Sequence, residues 1–156
     1  HADREQVTTL TRAARRASRR PGPLPRGARV KYAYLDSSCL VALACGEPGS
    51  TELAGQLADY TRLFAANLLE AEVRAALARE GVPGVEKLLG WVSWLHPPRP
   101  LSQELREVLG FGYLRGADLW HLAAALYLRG EIREISFLTL DRAQGERARA
   151  LGFPGF

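Results

Sequence analysis

No apolar run in this chain approaches the roughly 20 residues a helix needs to cross a bilayer, which excludes a helical membrane span. Cysteine is scarce: Cys39 and Cys45 share one apolar segment and make no disulfide framework. The three histidines stand far apart, at His1, His96 and His121, so no Cys or His cluster of zinc-binding type is present. The first stretch is polar and Arg-rich without an apolar core; no secretory signal is read there, and a reducing, cytoplasmic setting is expected. What remains is ordinary for a folded domain. At 156 residues and 47% apolar content the chain is long enough for one core and short for two.

The net charge of +4 misleads until it is divided along the chain. Residues 1–31 hold nine basic side chains against Asp3 and Glu5, a net +7, while the remainder holds twelve basic against fifteen acidic, a net −3. A blanket inference from high pI to nucleic-acid binding therefore fails, because the excess belongs to one end. PGPLPRGAR reads as a linker, since each Pro removes an amide donor and restricts its neighbour. We expect a basic extension and linker over 1–30 and one folded domain over 31–156. The extension is expected to be a partly ordered appendage, or an arm that docks on a partner, on nucleic acid or on the acidic body itself.

From Lys31 the pattern alternates. Strands are expected at 32–36, 62–66 and 135–140; helices at 38–45, 52–60, 67–79, 85–95, 102–109, 117–128 and 142–151. Asn67 with Glu70 reads as a capping box, Ser102 as a cap, and Gly130 and Gly152 as helix stops. Strands alternating with helices predict an α/β/α sandwich with a parallel sheet, whose ligands sit beyond the carboxyl ends of the strands.

Four acids stand beside buried-looking sequence at that edge. Asp36 ends the first strand in YAYLD, and Asp141 ends the last in FLTLD; Glu72 lies in NLLEAEVRAAL, and Asp118 opens the helix GADLWHLAAAL. Each has a plain alternative: a cap for Asp141 with Gln144, a first-turn acid for Asp118, a surface pair for Glu72, a local turn for Asp36. A parallel sheet would gather them. Glu70 and Glu72 are about 200° apart on a helix, so only one can face the same cleft, and Glu72 is assigned to it. Crowded carboxylates repel unless neutralised, and hard divalent cations with oxygen preference, Mg²⁺ or Mn²⁺, do so. The chemistry best matched is phosphodiester hydrolysis. His121 follows Asp118 by one turn and is expected to hydrogen-bond that carboxylate in a supporting role.

YLDSSCLVAL, NLLEAEVRAAL, ADLWHLAAAL and FLTLDRAQGERARALGF, in this order, resemble the four motifs of the PIN-domain nucleases, in particular the VapC-type toxins of toxin–antitoxin pairs. The resemblance runs from about Val30 to Phe153. It implies a PIN-like α/β/α fold and Mg²⁺- or Mn²⁺-dependent endoribonuclease activity on structured RNA of the tRNA or rRNA class. It further implies a homodimer and a cognate antitoxin protein. Asp36, Glu72, Asp118 and Asp141 would be the catalytic, metal-binding acids, with Ser37, Thr139 and His121 supporting them. Arg74, Arg115 and Arg142 are candidates for phosphate contact, with Arg79, Arg147 and Arg149 also in motif-bearing segments. Two departures stand out: Asn67 replaces a small hydroxyl residue of the second motif, and the basic extension lies outside the pattern. A PIN-like module that has lost activity and works by binding protein or RNA is the alternative.

Overall fold

The computed structural model describes residues 29–156, so all but the last two residues of the expected extension lie outside the described residues. In chain order the elements are β1 (Tyr32–Leu35), α1 (Ser37–Cys45), α2 (Ser50–Ala58), β2 (Arg62–Ala66), α3 (Leu68–Glu80), α4 (Val85–Leu89), β3 (Val92–Leu95), α5 (Ser102–Leu109), α6 (Gly116–Glu131), β4 (Ile135–Leu138) and α7 (Arg142–Ala150). The four strands form one wholly parallel sheet in the order β3-β2-β1-β4. The expected layered α/β architecture is therefore what the described residues build.

Connection geometry explains the layers. From β1 through β2 to β3 the chain steps one way across the sheet, then returns past both to add β4 on the far side of β1. Right-handed crossovers put the helices of opposite steps on opposite faces. Alternation within β1 fits this, because successive side chains leave opposite faces of a strand. Ala33 and Leu35 join one core with Cys39, Leu40, Leu69 and Val73. Tyr34 joins the other, with Leu122, Ala125 and Phe137. The winding reverses between β1 and β4, which opens a crevice at their carboxyl ends. Asp36 and Asp141 follow β1 and β4 there.

Several local expectations are corrected. The segment 85–95 is not one helix: α4 stops at Leu89 and Val92–Leu95 is a strand, paired with β2 from Leu63↔Val92 to Ala66↔Leu95. An apolar run of that length fits either period, and the partner strand decides it. Gly130 does not end α6, which continues to Glu131 and stops at Ile132 with extended backbone (φ −124°, ψ 105°). Ser102 opens α5 but makes no cap hydrogen bond, the cap position being Leu101. Gly152 does close the last helix, at φ 87°, where the Phe153 amide reaches the Ala148 carbonyl at 2.9 Å.

Candidate active site

β1 and β4 are stitched together beyond their last paired residues. The Asp36 amide donates to the Leu138 carbonyl at 2.9 Å, extending the ladder by one rung. Asp36 then leaves the strand and caps α1, its Oδ2 accepting from the Ser38 amide at 3.0 Å. Across the seam, Ser38 Oγ accepts from the Leu140 amide at 3.0 Å, and Thr139 Oγ1 accepts from the Asp141 amide at 3.1 Å. Thr139 has one hydroxyl proton, and its 2.7 Å contact with Gln144 Oε1 claims it. Ser38 is accordingly the donor in the 3.3 Å contact between the two hydroxyls. Asp141 caps α7, Oδ1 accepting from the Gln144 amide at 2.7 Å. Asp36 and Asp141 are thus fixed from two helix starts by one small hydroxyl network. Asp36 as a residue is only 4% exposed.

A second network fixes Glu72. Tyr34, on the centre of β1, accepts at its hydroxyl from the Ala66 amide at 3.1 Å and meets His121 Nδ1 at 2.8 Å. His121 Nε2 bonds Glu72 Oε1. Burial pushes the Tyr34 phenol far above its ordinary pKa, so it keeps its proton. Because the amide already supplies one hydrogen to that oxygen, the phenolic proton goes to Nδ1. His121 is then the Nε2–H tautomer, donating to Glu72. The expectation that His121 bonds Asp118 is corrected: one helical turn brings the two side chains to the same side of α6, but Glu72 on α3 and Tyr34 on β1 supply its partners. Tyr34 stacks on Phe137 with ring centroids 5.5 Å apart, which seats the relay in the core.

Asp118, in the first turn of α6, takes an ion pair from Arg115, whose Nη2 and Nε each lie 3.2 Å from Oδ2. Burial nonetheless holds its carboxyl above the ordinary pKa; Arg115 pulls the value down, and the nearby charges of Asp141 and Asp36 push it up. A stability consequence follows from linkage. Unfolded, the group ionises near pH 3.9, and in the fold at higher pH. Between those values the unfolded chain has already released its proton. Stability therefore falls as pH rises through that window, and the loss persists at neutral pH. Asp118→Asn removes the cost, so in EDTA at pH 7 it is expected to melt roughly 1–3 °C above wild type, with the gap closing below pH 4. A lower melting temperature at pH 7 would contradict this reading of the cluster's charge.

Asp36, Asp118 and Asp141 are within electrostatic reach of one another through Asp118, whereas Glu72 is linked to them only through the Tyr34 hydroxyl. The charges of Asp36 and Asp141 reach Asp118, and those of Asp36 and Glu72 both reach the Tyr34 hydroxyl. Among the described residues, no group of three or more acidic, His or Cys side chains stands close enough together to hold a metal ion. Each acid is instead held through one carboxylate oxygen: Asp36 Oδ2, Glu72 Oε1, Asp118 Oδ2 and Asp141 Oδ1. The other oxygen of each has no hydrogen-bond partner among the described residues. An all-oxygen, like-charged donor set with one free oxygen per acid fits a hard divalent cation.

Two further residues at the site, Ser38 and Tyr34, escaped sequence reading, and Gln144, read as the partner in the Asp141 cap, has a second role. Ser38 rather than Ser37 carries the seam contacts; Tyr34 and Gln144 are buried polar anchors. Their signal was present as polar groups on otherwise core-facing positions. The Asn67–Glu70 capping box is corrected as well, because Asn67 makes no cap bond; its side-chain amide donates to Glu70 Oε2 at 2.8 Å. Glu70 also pairs with Arg74, which reaches Glu86, so Glu70 and Glu72 do serve different surroundings. Of the candidate phosphate contacts, Arg74 and Arg115 are tied to carboxylates, and Arg142 carries an exposed pair with Glu146. Arg147 is bound to the carbonyls of Val108 and Gly112.

The search of family models finds no match to the chain. Among proteins of known name, Ribonuclease VapC47 of Mycobacterium tuberculosis (strain CDC 1551 / Oshkosh) is 32% identical over 128 residues, covering 77% of this chain and 92% of that protein. The wholly parallel fold and this similarity define the class: the chain belongs to the VapC-like PIN-domain ribonucleases.

Proposed function

We propose that this protein is a metal-dependent endoribonuclease acting as the toxin of a toxin–antitoxin pair. The reading is supported by the similarity to a VapC ribonuclease together with Asp36, Glu72, Asp118 and Asp141, each anchored through one carboxylate oxygen with the other unpaired among the described residues. RNA of the tRNA or rRNA class is the proposed substrate, a cognate antitoxin protein the proposed inhibitor, and a homodimer the proposed assembly. No helix among the described residues is long and apolar enough to cross a membrane. The folded domain is proposed to begin near Lys31.

Asp36, Glu72, Asp118 and Asp141 would hold Mg²⁺ or Mn²⁺, which when bound polarises a phosphoryl oxygen and lowers the pKa of water. The chain's own residues do the positioning. Ser38 and Thr139 keep the β1 and β4 ends in register, so that Asp36 and Asp141 face one substrate phosphate. His121 orients Glu72 by donating to its Oε1. Arg115 neutralises part of the cluster before substrate arrives and is placed to turn toward a phosphate oxygen. Hydrolysis itself adds the oxygen of water to phosphorus, breaks one P–O bond, and leaves a proton on the departing oxygen.

The test is cleavage of total RNA by purified protein, read by sequencing new ends. EDTA is expected to reduce cleavage at least 100-fold, and excess Mn²⁺ or Mg²⁺ to restore it. Cleavage indifferent to EDTA would remove the metal from the proposal, and no cleavage with either ion would leave a binding module.

A further inference from the structure

On the flank of β4 that faces away from β1 lies a cavity of about 150 Å³. Its floor is apolar, made by the buried Phe137, Ala148 and Phe153. One wall is the C-terminal segment, held against the strand by the Phe137 amide donating to the Pro154 carbonyl at 2.8 Å. Phe156, 47% exposed, stands at the rim with Arg149. Thr139 and Asp141 also line the cavity, which makes it continuous with the acid cluster.

Two features distinguish this space from an ordinary packing gap. First, Gly145 leaves it open from the side of α7: a Cβ there would stand 3.5 Å from Thr139 Cγ2 and 3.7 Å from Arg149 Nη1, ordinary contact distances. Backbone geometry and crowding do not require glycine at that helical position, whereas a larger side chain would fill the cavity. Second, Arg149 has no carboxylate or carbonyl partner among the described residues, unlike Arg74, Arg115 and Arg147. A free guanidinium beside an exposed phenyl ring, over an apolar floor, suits a flat ring with polar edges whose backbone is anionic. The volume is below the range of drug-sized pockets and suits one such ring.

We propose that this cavity is a nucleobase subsite, taking the base of a nucleotide next to the scissile phosphate, with Arg149 and Phe156 on its faces or edge. The proposal rests on the ribonuclease reading above and extends it to sequence preference. It makes the choice of cut site depend on which base fits between α7 and the C-terminal segment. Stacking of this kind contributes roughly a 5- to 150-fold gain in affinity per base.

The test uses the full chain carrying Asp36→Asn, to prevent cutting, and a fluorescent single-stranded RNA spanning the wild-type cut site. Each nucleotide flanking the cut is replaced in turn by an abasic one, and Kd is read by anisotropy at fixed salt. One abasic position is expected to weaken binding about 10-fold. Arg149→Ala and Gly145→Leu should each weaken binding of intact RNA to a similar degree, and change binding of that abasic RNA less than about two-fold. Equal affinity of parent and variants for intact RNA would overturn the subsite while leaving the ribonuclease reading in place. So would equal losses on intact and abasic RNA, which would mark a phosphate contact or a site for a protein segment. Absence of both wild-type cleavage and parent binding would overturn the subsite and the ribonuclease reading together. Arg149 is exposed, so its variant reports even if Gly145→Leu fails to fold.

Discussion

Asp36→Asn is expected to lower RNA cleavage about 1000-fold while the protein melts at or above the wild-type temperature. Asparagine keeps the shape, and its side-chain oxygen still accepts from the Ser38 amide, so the cap of α1 survives. What disappears is charge on a residue only 4% exposed, at the point where β1, β4 and α1 meet. A hard cation depends on that charge, and a loss of about 4 kcal/mol of transition-state stabilisation corresponds to three powers of ten in rate. Circular dichroism melting beside the cleavage assay separates the two effects. A variant cutting RNA at wild-type rate would remove Asp36 from the site.

His121→Ala is expected to cost roughly 3 kcal/mol of stability, a fall in melting temperature of about 6–12 °C. His121 is 0% exposed, so the truncation opens a core cavity. It also strands two polar partners, the Tyr34 hydroxyl and the Glu72 carboxylate. Below the melting transition, cleavage should still fall roughly 10- to 100-fold, with a raised Mn²⁺ requirement, because a ligating carboxylate loses the donor that orients it. Tyr34→Phe is the milder companion: it keeps the stacked ring on Phe137 but removes the proton that fixes the His121 tautomer. An unchanged Mn²⁺ requirement in both variants would reduce the relay to packing.

The architecture was legible because β1, β2 and β4 are short apolar runs, and because Asp36 and Asp141 break those runs where charge is costly to bury. Asp36 and Asp141 stood out as candidate acids for the same reason, and Glu72 was separable from Glu70 by helical angle alone. The split of 85–95 into α4 and β3 was not legible, since Trp91, Val92 and Trp94 satisfy either period until β2 is present as partner. The relay was hidden for a related reason. Tyr34 looks like a core residue and His121 like a neighbour of Asp118, and only the packing of α3 and α6 against the sheet shows that they serve Glu72. Ser37 and Ser38 are indistinguishable in sequence; the direction of the first turn of α1 selects Ser38. Arg149 stood among several arginines in motif-bearing segments, and only the fold shows which are already paired.

The proposed site requires one cation shared by acids that lie far apart in the chain. Mn²⁺ titration followed by electron paramagnetic resonance measures this without RNA. Wild type is expected to bind Mn²⁺ saturably, with Asp36→Asn and Asp118→Asn each weakening binding at least 10-fold and leaving the fold intact. Identical Mn²⁺ binding in all three proteins, or none in wild type, would contradict it.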